Sequence, residues 1–241
     1  MSSLPGTMQI VVLAGGRGTR LRPLTDELPK SMIPILGKPF LQHQIELFKR
    51  NGITDIVLCV GYLADKIKDY FGDGSRIGVR IRYSVEKEGL LGTAGALRKA
   101  GPLLQDVFFL TYGDSYLRLG YASVMEGFRS SGTLGLMAVY RNFDRYDKSN
   151  VVVEAGFVKA YDKREPTAEM TYIDYGLSAL RRAALTLIPS DTVVDLQDFY
   201  KALIDCRQLL AYEAQEHFYE IGSPRGLEEF RLFAASLSSQ S

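Results

Sequence analysis

After seven residues of mixed character the chain enters a near-continuous apolar run, "MQIVVLA", the pattern of a strand buried on both faces. "PFLQHQIELFKRNG" spaces its apolar residues three and four apart and stops at Gly52, which predicts an amphipathic helix with a glycine terminator. "TDIVLCVG" reads as a second buried strand, "LADKIKDYFGDG" as a second helix and "VRIRYSV" as an alternating strand. "GTAGALRKAG" predicts a helix, "DVFFLTYGD" a fourth strand and "GTLGLMAVY" a fifth, with another helix between those two strands. Strands alternating with helices at this spacing predict an α/β fold. The expected architecture is a Rossmann-like, doubly wound sheet, mixed but mostly parallel, covered on both faces.

From about Asn142 the texture changes. "SNVVVEAGFVKAYDK" reads as two short strands joined at Ala155-Gly156, a hairpin signal. "MTYIDYGLSAL" predicts a strand, "LQDFYKALIDC" a helix, "HFYEIGSP" a strand end and "RGLEEFRLFAASL" a closing amphipathic helix. No repeat or low-complexity linker separates the two textures. The expectation is one domain over residues 8–241, with halves at 8–141 and 142–241, and residues 1–7 as a loose extension.

The chain has 241 residues, enough for a substantial core, and its net charge of +1 recruits neither nucleic acid nor an anionic membrane. Any anion must be held locally. The two cysteines, Cys59 and Cys206, have no metal-ligand spacing, and His43 and His217 stand alone. With no apolar run of membrane length and no signal-peptide pattern, the expectation is a cytoplasmic protein that inserts in no membrane.

Charge does concentrate in one place. "LAGGRGTRLRPLTDELPKSMIP" puts three glycines and four basic residues directly after the first strand. It is not a Walker P-loop, which needs Gly-Lys-Ser/Thr. It is not a dinucleotide fingerprint either, because Leu21 stands where the third glycine belongs. What remains is a glycine loop at a strand's end, where backbone N–H groups can approach an anion and Arg20 and Lys30 can add charge. Loops after the strands of such a sheet are where ligands bind.

The full string "LAGGRGTRLRPLTDELPKSMIPILGKP" closely resembles the signature of the sugar-1-phosphate nucleotidyltransferases, which join a sugar 1-phosphate to a nucleoside triphosphate and release pyrophosphate. The resemblance extends to "FYEIGSP" near the end. It implies the type A-like nucleotidyltransferase fold with a sugar-binding accessory half. It also implies nucleotide contacts from Leu13, Ala14, Gly15, Gly16, Gly18 and Thr19, with Arg20 and Lys30 acting on the phosphates.

"LTYGDSYL" resembles the family's Gly-Asp motif, which implies that Asp114 holds Mg²⁺ at a strand's C-terminal edge. The family's second metal carboxylate is an Asp, and this chain has Glu220 in that place. "YSVEKEGLLGTAGALRKA" resembles the base-reading loop, with Gly92 and Thr93 at the Gly-Thr positions. Where uridine- or thymidine-using members carry a Gln, the candidates here are Glu86 and Glu88. A carboxylate only accepts, which suits the adjacent N–H donors of guanine. "FVKAYDKREP" implies that Asp162 binds sugar hydroxyls and Lys163 the sugar phosphate. "TYIDYGLSAL" places Asp174 and Gly176 in the sugar pocket. The stretch Asp147–Asn150 departs from a Gly-containing segment usual in the family.

The expected activity is transfer of a nucleotide, GTP favoured, to a manno-heptose or mannose 1-phosphate, as in the heptose and mannose guanylyltransferases. Two readings stay open beside it: a uridylyltransferase acting on N-acetylmuramate or glucose 1-phosphate, and a non-catalytic regulatory homologue. The sequence leaves the oligomeric state open, a homodimer being compatible with it.

Overall fold

The computed structural model describes residues 8–86, 89, 91–190 and 192–238. The extension at 1–7 and the candidate Glu88 lie outside these. The elements in chain order are β1 (Gln9–Leu13), β2 (Pro34–Ile35), β3 (Lys38–Pro39), α1 (Phe40–Arg50), β4 (Asp55–Val60), α2 (Ala64–Phe71), β5 (Arg80–Val85), α3 (Gly92–Lys99), β6 (Val107–Tyr112) and β7 (Ser115–Tyr116). They continue with α4 (Tyr121–Ser131), β8 (Gly135–Arg141), β9 (Val151–Glu154), β10 (Phe157–Tyr161), β11 (Tyr172–Arg181), α5 (Leu196–Asp205), β12 (Leu209–Ala214), β13 (Tyr219–Glu220) and α6 (Pro224–Ser238). Contacts divide the chain into two compact units. One comprises Met1–Gly89, Tyr112–Tyr116 and Phe218–Ser241, the other Leu90–Thr111 and Leu117–His217. The texture change at Asn142 falls inside the second.

In the first unit β5, β4 and β1 pair in that order, all parallel, with Ile10 opposite Ile56 and Ile56 opposite Ile81. Every residue of β4 is buried, as its unbroken apolar run requires. At the entry end of these strands Gln9 donates to Asp55, and Arg80 and Arg82 pair with the same carboxylate at 3.0 and 2.9 Å. Burial works to raise the Asp55 pKa, and the two guanidiniums outweigh it, holding the group below its ordinary value. Helix α1 ends at Asn51, whose N–H bonds Leu47, and Gly52 follows at φ 75°. Phe230 of α6 sits edge-on to Phe40 at 4.9 Å, in a cluster with Leu21, Ile33, Tyr116 and Ile221. That cluster ties the chain's last helix to the segment after β1.

In the second unit the order is β6, β11, β8, β12, β10, β9. The run β5–β4–β1 is all parallel, whereas here β11 runs antiparallel to both β6 and β8, and among the described residues of this unit only β12 on β8 is parallel. Ala155 and Gly156 both take left-handed φ, 50° and 79°, and close the β9–β10 hairpin. The β11–β8 register shifts between Asp174 and Ser178, around Gly176 at φ 93°. Among the described residues no helix is long and apolar enough to cross a membrane.

Candidate active site

The residues that the sequence marks in the first unit gather at the C-terminal end of β1. The N–H of Ala14 donates to Cys59 O at 2.8 Å, carrying the chain one residue past the strand before it turns away. Tyr62 then tethers the loop at two points. Its N–H donates to Gly15 O at 3.2 Å, and its hydroxyl donates to Asp26 O at 2.6 Å. Between those tethers, no backbone carbonyl among the described residues accepts from the N–H groups of Gly15 through Arg20. A run of uncommitted amides at a strand's end is an anion cradle.

Gly18 lies at φ 62°, and a Cβ there would come within 3.0 Å of both Lys30 Cβ and Thr25 Cγ2. That close approach brings Lys30 beside the loop. Leu21, three residues on, is buried in the α6 cluster, while its neighbour Arg20 remains exposed. Gly16 and Thr19 are also exposed.

Asp114 reaches the same place by another tight approach. The N–H of Gly113 donates to Leu13 O at 2.9 Å, and a Cβ on Gly113 would meet Ala14 Cβ at 2.9 Å. Only glycine allows that contact, and Asp114 follows it directly. Ile221 N–H donates to Asp114 O at 2.9 Å, and β13 pairs with β7 so that Glu220 faces Ser115. Lys30 Nζ is ion-paired to Asp114 Oδ2. A Cβ on Gly222 would stand 3.0 Å from Arg20 Nη2, 3.4 Å from Asp114 Oδ2 and 3.5 Å from Glu220 Oε1. Arg20, Lys30, Asp114 and Glu220 therefore converge on one spot.

The donor set fits a magnesium ion. Two carboxylates within 4 Å of one point are what a hard cation that keeps several waters and phosphate oxygens requires of its protein. No cluster of three or more His, Cys, Asp or Glu that could hold a metal occurs among the described residues. Glu86 stands at the glycine loop's start. Its N–H donates to Val60 O at 2.9 Å, and its Oε2 lies 3.0 Å from where a Cβ on Gly15 would be.

The second unit assembles the other predicted group. Lys163 Nζ pairs with Asp174 Oδ2 at 3.0 Å. Partial burial works to lower the lysine's pKa, but Asp174 outweighs it and holds the ammonium above its ordinary value. Asp174, its side chain only 3% exposed, also accepts from the Tyr161 hydroxyl and from Gly176 N–H. Its own N–H donates to Asn150 Oδ1, fixing the carboxylate that orients Lys163.

Asp162 and Thr93 both carry hydrogen bonds within the protein. Asp162 Oδ2 accepts from Lys201, and its Oδ1 accepts from Gln197 and from the N–H groups of Arg164 and Glu165. Lys201 and those two amides hold its pKa well below the carboxylate range. In this structure it pins the turn that presents Lys163, and sugar hydroxyls would meet a carboxylate already engaged. Thr93 Oγ1 accepts from Leu196 N–H at 2.7 Å, and Gly92 packs so close that a Cβ would meet Val194 O at 2.3 Å. Both residues anchor α3 on the start of α5.

The roles of Tyr62, Asn150 and Gln197 carry no motif in the sequence. The last two are buried polar residues, a signal that sequence alone shows only weakly.

A family model described as Nucleotidyl transferase matches residues 9–161, more than half of the chain. The chain belongs to that family. It is 37% identical over 144 residues to the D-glycero-alpha-D-manno-heptose 1-phosphate guanylyltransferase of Campylobacter jejuni, covering 60% of this chain and 63% of that one. It is 32% identical to the catalytic subunit beta of Xenopus tropicalis mannose-1-phosphate guanylyltransferase, covering 90% and 62%. It is also 32% identical to the UTP–glucose-1-phosphate uridylyltransferase of Synechocystis, covering 82% and 55%. The chain thus spans between half and two thirds of these curated relatives. The crystal structure of HddC from Yersinia pseudotuberculosis superposes with a TM-score of 0.78 at 26% identity, over 93% of this chain and 98% of that one.

Proposed function

We propose that the protein transfers a nucleoside monophosphate from a nucleoside triphosphate, GTP by preference, to a manno-heptose or mannose 1-phosphate, releasing pyrophosphate. The observation that carries this reading is the convergence of Arg20, Lys30, Asp114 and Glu220 around Gly222, beside the open amides of Gly15–Arg20.

The sugar phosphate oxygen attacks the α-phosphorus, a P–O bond forms there, and the bond to the departing pyrophosphate breaks. The nucleophile is already anionic, so no covalent enzyme intermediate and no general base are needed. The task of the residues is to bring together two anions that repel and to offset the charge of the transition state. The amides of the glycine loop and Arg20 bind the triphosphate, and Lys30 moves from Asp114 to its phosphates. Lys163, oriented by Asp174, takes the sugar phosphate. Mg²⁺ would be held by Asp114 and Glu220 and would neutralise phosphate charge.

Glu86 at the loop's start favours guanine, whose adjacent N–H donors suit an acceptor-only side chain. The relatives that act on mannose or heptose 1-phosphate support the same choice, while the Synechocystis relative keeps UTP as the second reading. A pyrophosphate-release assay over a panel of nucleoside triphosphates crossed with sugar 1-phosphates tests all of this. Fastest release with GTP and mannose or manno-heptose 1-phosphate is expected, and no release with any pair overturns the reading.

A further inference from the structure

Gln44 lies on α1 four residues from both Phe40 and Phe48, in the middle of the helix's buried face. A fully buried amide on an apolar stripe needs a reason. Its Nε2 donates to Tyr112 O at 2.8 Å and to Ser115 O at 2.6 Å, the two carbonyls that bracket Gly113 and Asp114. Both neighbours are acceptors, which fixes the amide with its NH₂ facing them. Its Oε1 is buried and finds no hydrogen-bond partner among the described residues. The residue therefore bears the cost of an unsatisfied acceptor, one that an apolar side chain of equal length would not bear. What the chain gains is the pair of donor bonds.

We infer that Gln44 is a positioning residue for the metal-binding carboxylate. The inference rests on Asp114 being that carboxylate. The turn at Gly113–Asp114 is held at four points: Gly113 N–H on Leu13 O, Asp114 O on Ile221 N–H, and the two carbonyls gripped by Gln44. With its backbone held so, Asp114 keeps only side-chain rotation, and its Oδ2 stays beside Glu220. Loosening the clamp lets the carboxylate drift, and a partner that holds a ligand in place is commonly worth about 10–100-fold in metal affinity.

The test is a Mn²⁺ titration of the full chain with GTP present, followed by electron paramagnetic resonance. Gln44→Met keeps length and loses both donors. It is expected to unfold cooperatively yet bind Mn²⁺ at least about tenfold more weakly, with the KM for sugar 1-phosphate unchanged. In an Asp114→Asn background the same substitution is expected to add nothing, since its effect passes through Asp114. Gln44→Asn, which reaches only one carbonyl, gives a smaller loss and carries the test should Gln44→Met not fold. A folded Gln44 variant that binds Mn²⁺ as the unsubstituted chain does overturns the inference. So does a loss that persists undiminished without the Asp114 carboxylate, or an unsubstituted chain that binds no Mn²⁺. Pyrophosphate release is read separately, so failure of the proposed activity and failure of the clamp are distinct results.

Discussion

Lys30 and Asp114, 84 residues apart in the chain, are ion-paired where their side chains keep only 22% and 16% of their surface exposed. In this structure each neutralises the other, and in the proposed reaction each has a different partner. Asp114→Asn and Lys30→Met should each lower kcat by about 10²–10³, the scale for losing one preorganised electrostatic contact. Stability separates this pair from two unrelated side chains. Either single change leaves a partly buried charge unpaired, so the double variant should melt no lower than the less stable single one. Thermal denaturation of the three proteins checks it, and melting losses that simply add would refute the coupling.

Glu86 lies against Gly15 at the start of the loop, and the proposed function gives it the reading of the base. Glu86→Gln exchanges an acceptor-only group for one that both donates and accepts, which matches the edge of uracil. The ratio of kcat/KM for GTP over UTP should fall by about tenfold, equivalent to ~1.4 kcal/mol of discrimination. An unchanged ratio would remove Glu86 from base selection.

The glycines of this chain are not alike, and substitution should sort them. A Cβ at Gly16 would meet nothing within 4 Å, so Gly16→Ala should fold normally. At Gly92 the φ is 76° and a Cβ would stand 2.3 Å from Val194 O, a contact with backbone that no side-chain rotation can relieve. Gly92→Ala should cost about 2–4 kcal/mol, combining backbone strain with displacement of the α5 start. Chemical denaturation of the two variants checks the contrast.

How much of this was legible in the sequence depended on the kind of signal. Buried runs such as "IVVL" and "IVLCV" announce β1 and β4, because a strand covered on both faces has no alternation to disguise it. Leu209–Ala214 announces itself less clearly. Its short run shows no clear alternation close behind a helix, and pairing with β8 on one side and β10 on the other makes it β12. The site followed the same division. The glycine loop, Arg20, Lys30 and Asp114 sit in a dense local motif. Roles made by long-range contact were hidden: Gln44 on the backbone around Asp114, Asn150 on Asp174, and the engagement of Asp162 by Lys201. Asp162 and Lys163 are adjacent in sequence, yet one holds the turn through Lys201 and Gln197 and the other pairs with Asp174.

Asp55 sets an acid limit on stability that is independent of the site. Arg80 and Arg82 grip this carboxylate, and folding lowers its pKa despite the opposing effect of burial. A carboxylate with a depressed folded pKa stabilises fully above its unfolded value of about 3.9 and loses that contribution as pH falls through the folded value. Asp162, lowered by Lys201 and two backbone amides, acts in the same sense. Stability should therefore decline on acidification below about pH 4. Asp55→Asn should melt lower than the unsubstituted chain at neutral pH and lose less on going to about pH 3. Asp55 lies at the opening residue of β4, paired with Gln9 at the opening residue of β1, whereas the proposed site is at the other end of β1. Its substitution should accordingly leave the rate of pyrophosphate release per folded molecule intact. Melting curves over that pH range, read beside the activity, decide the matter: an acid limb as steep in Asp55→Asn as in the unsubstituted chain would deny Asp55 this role.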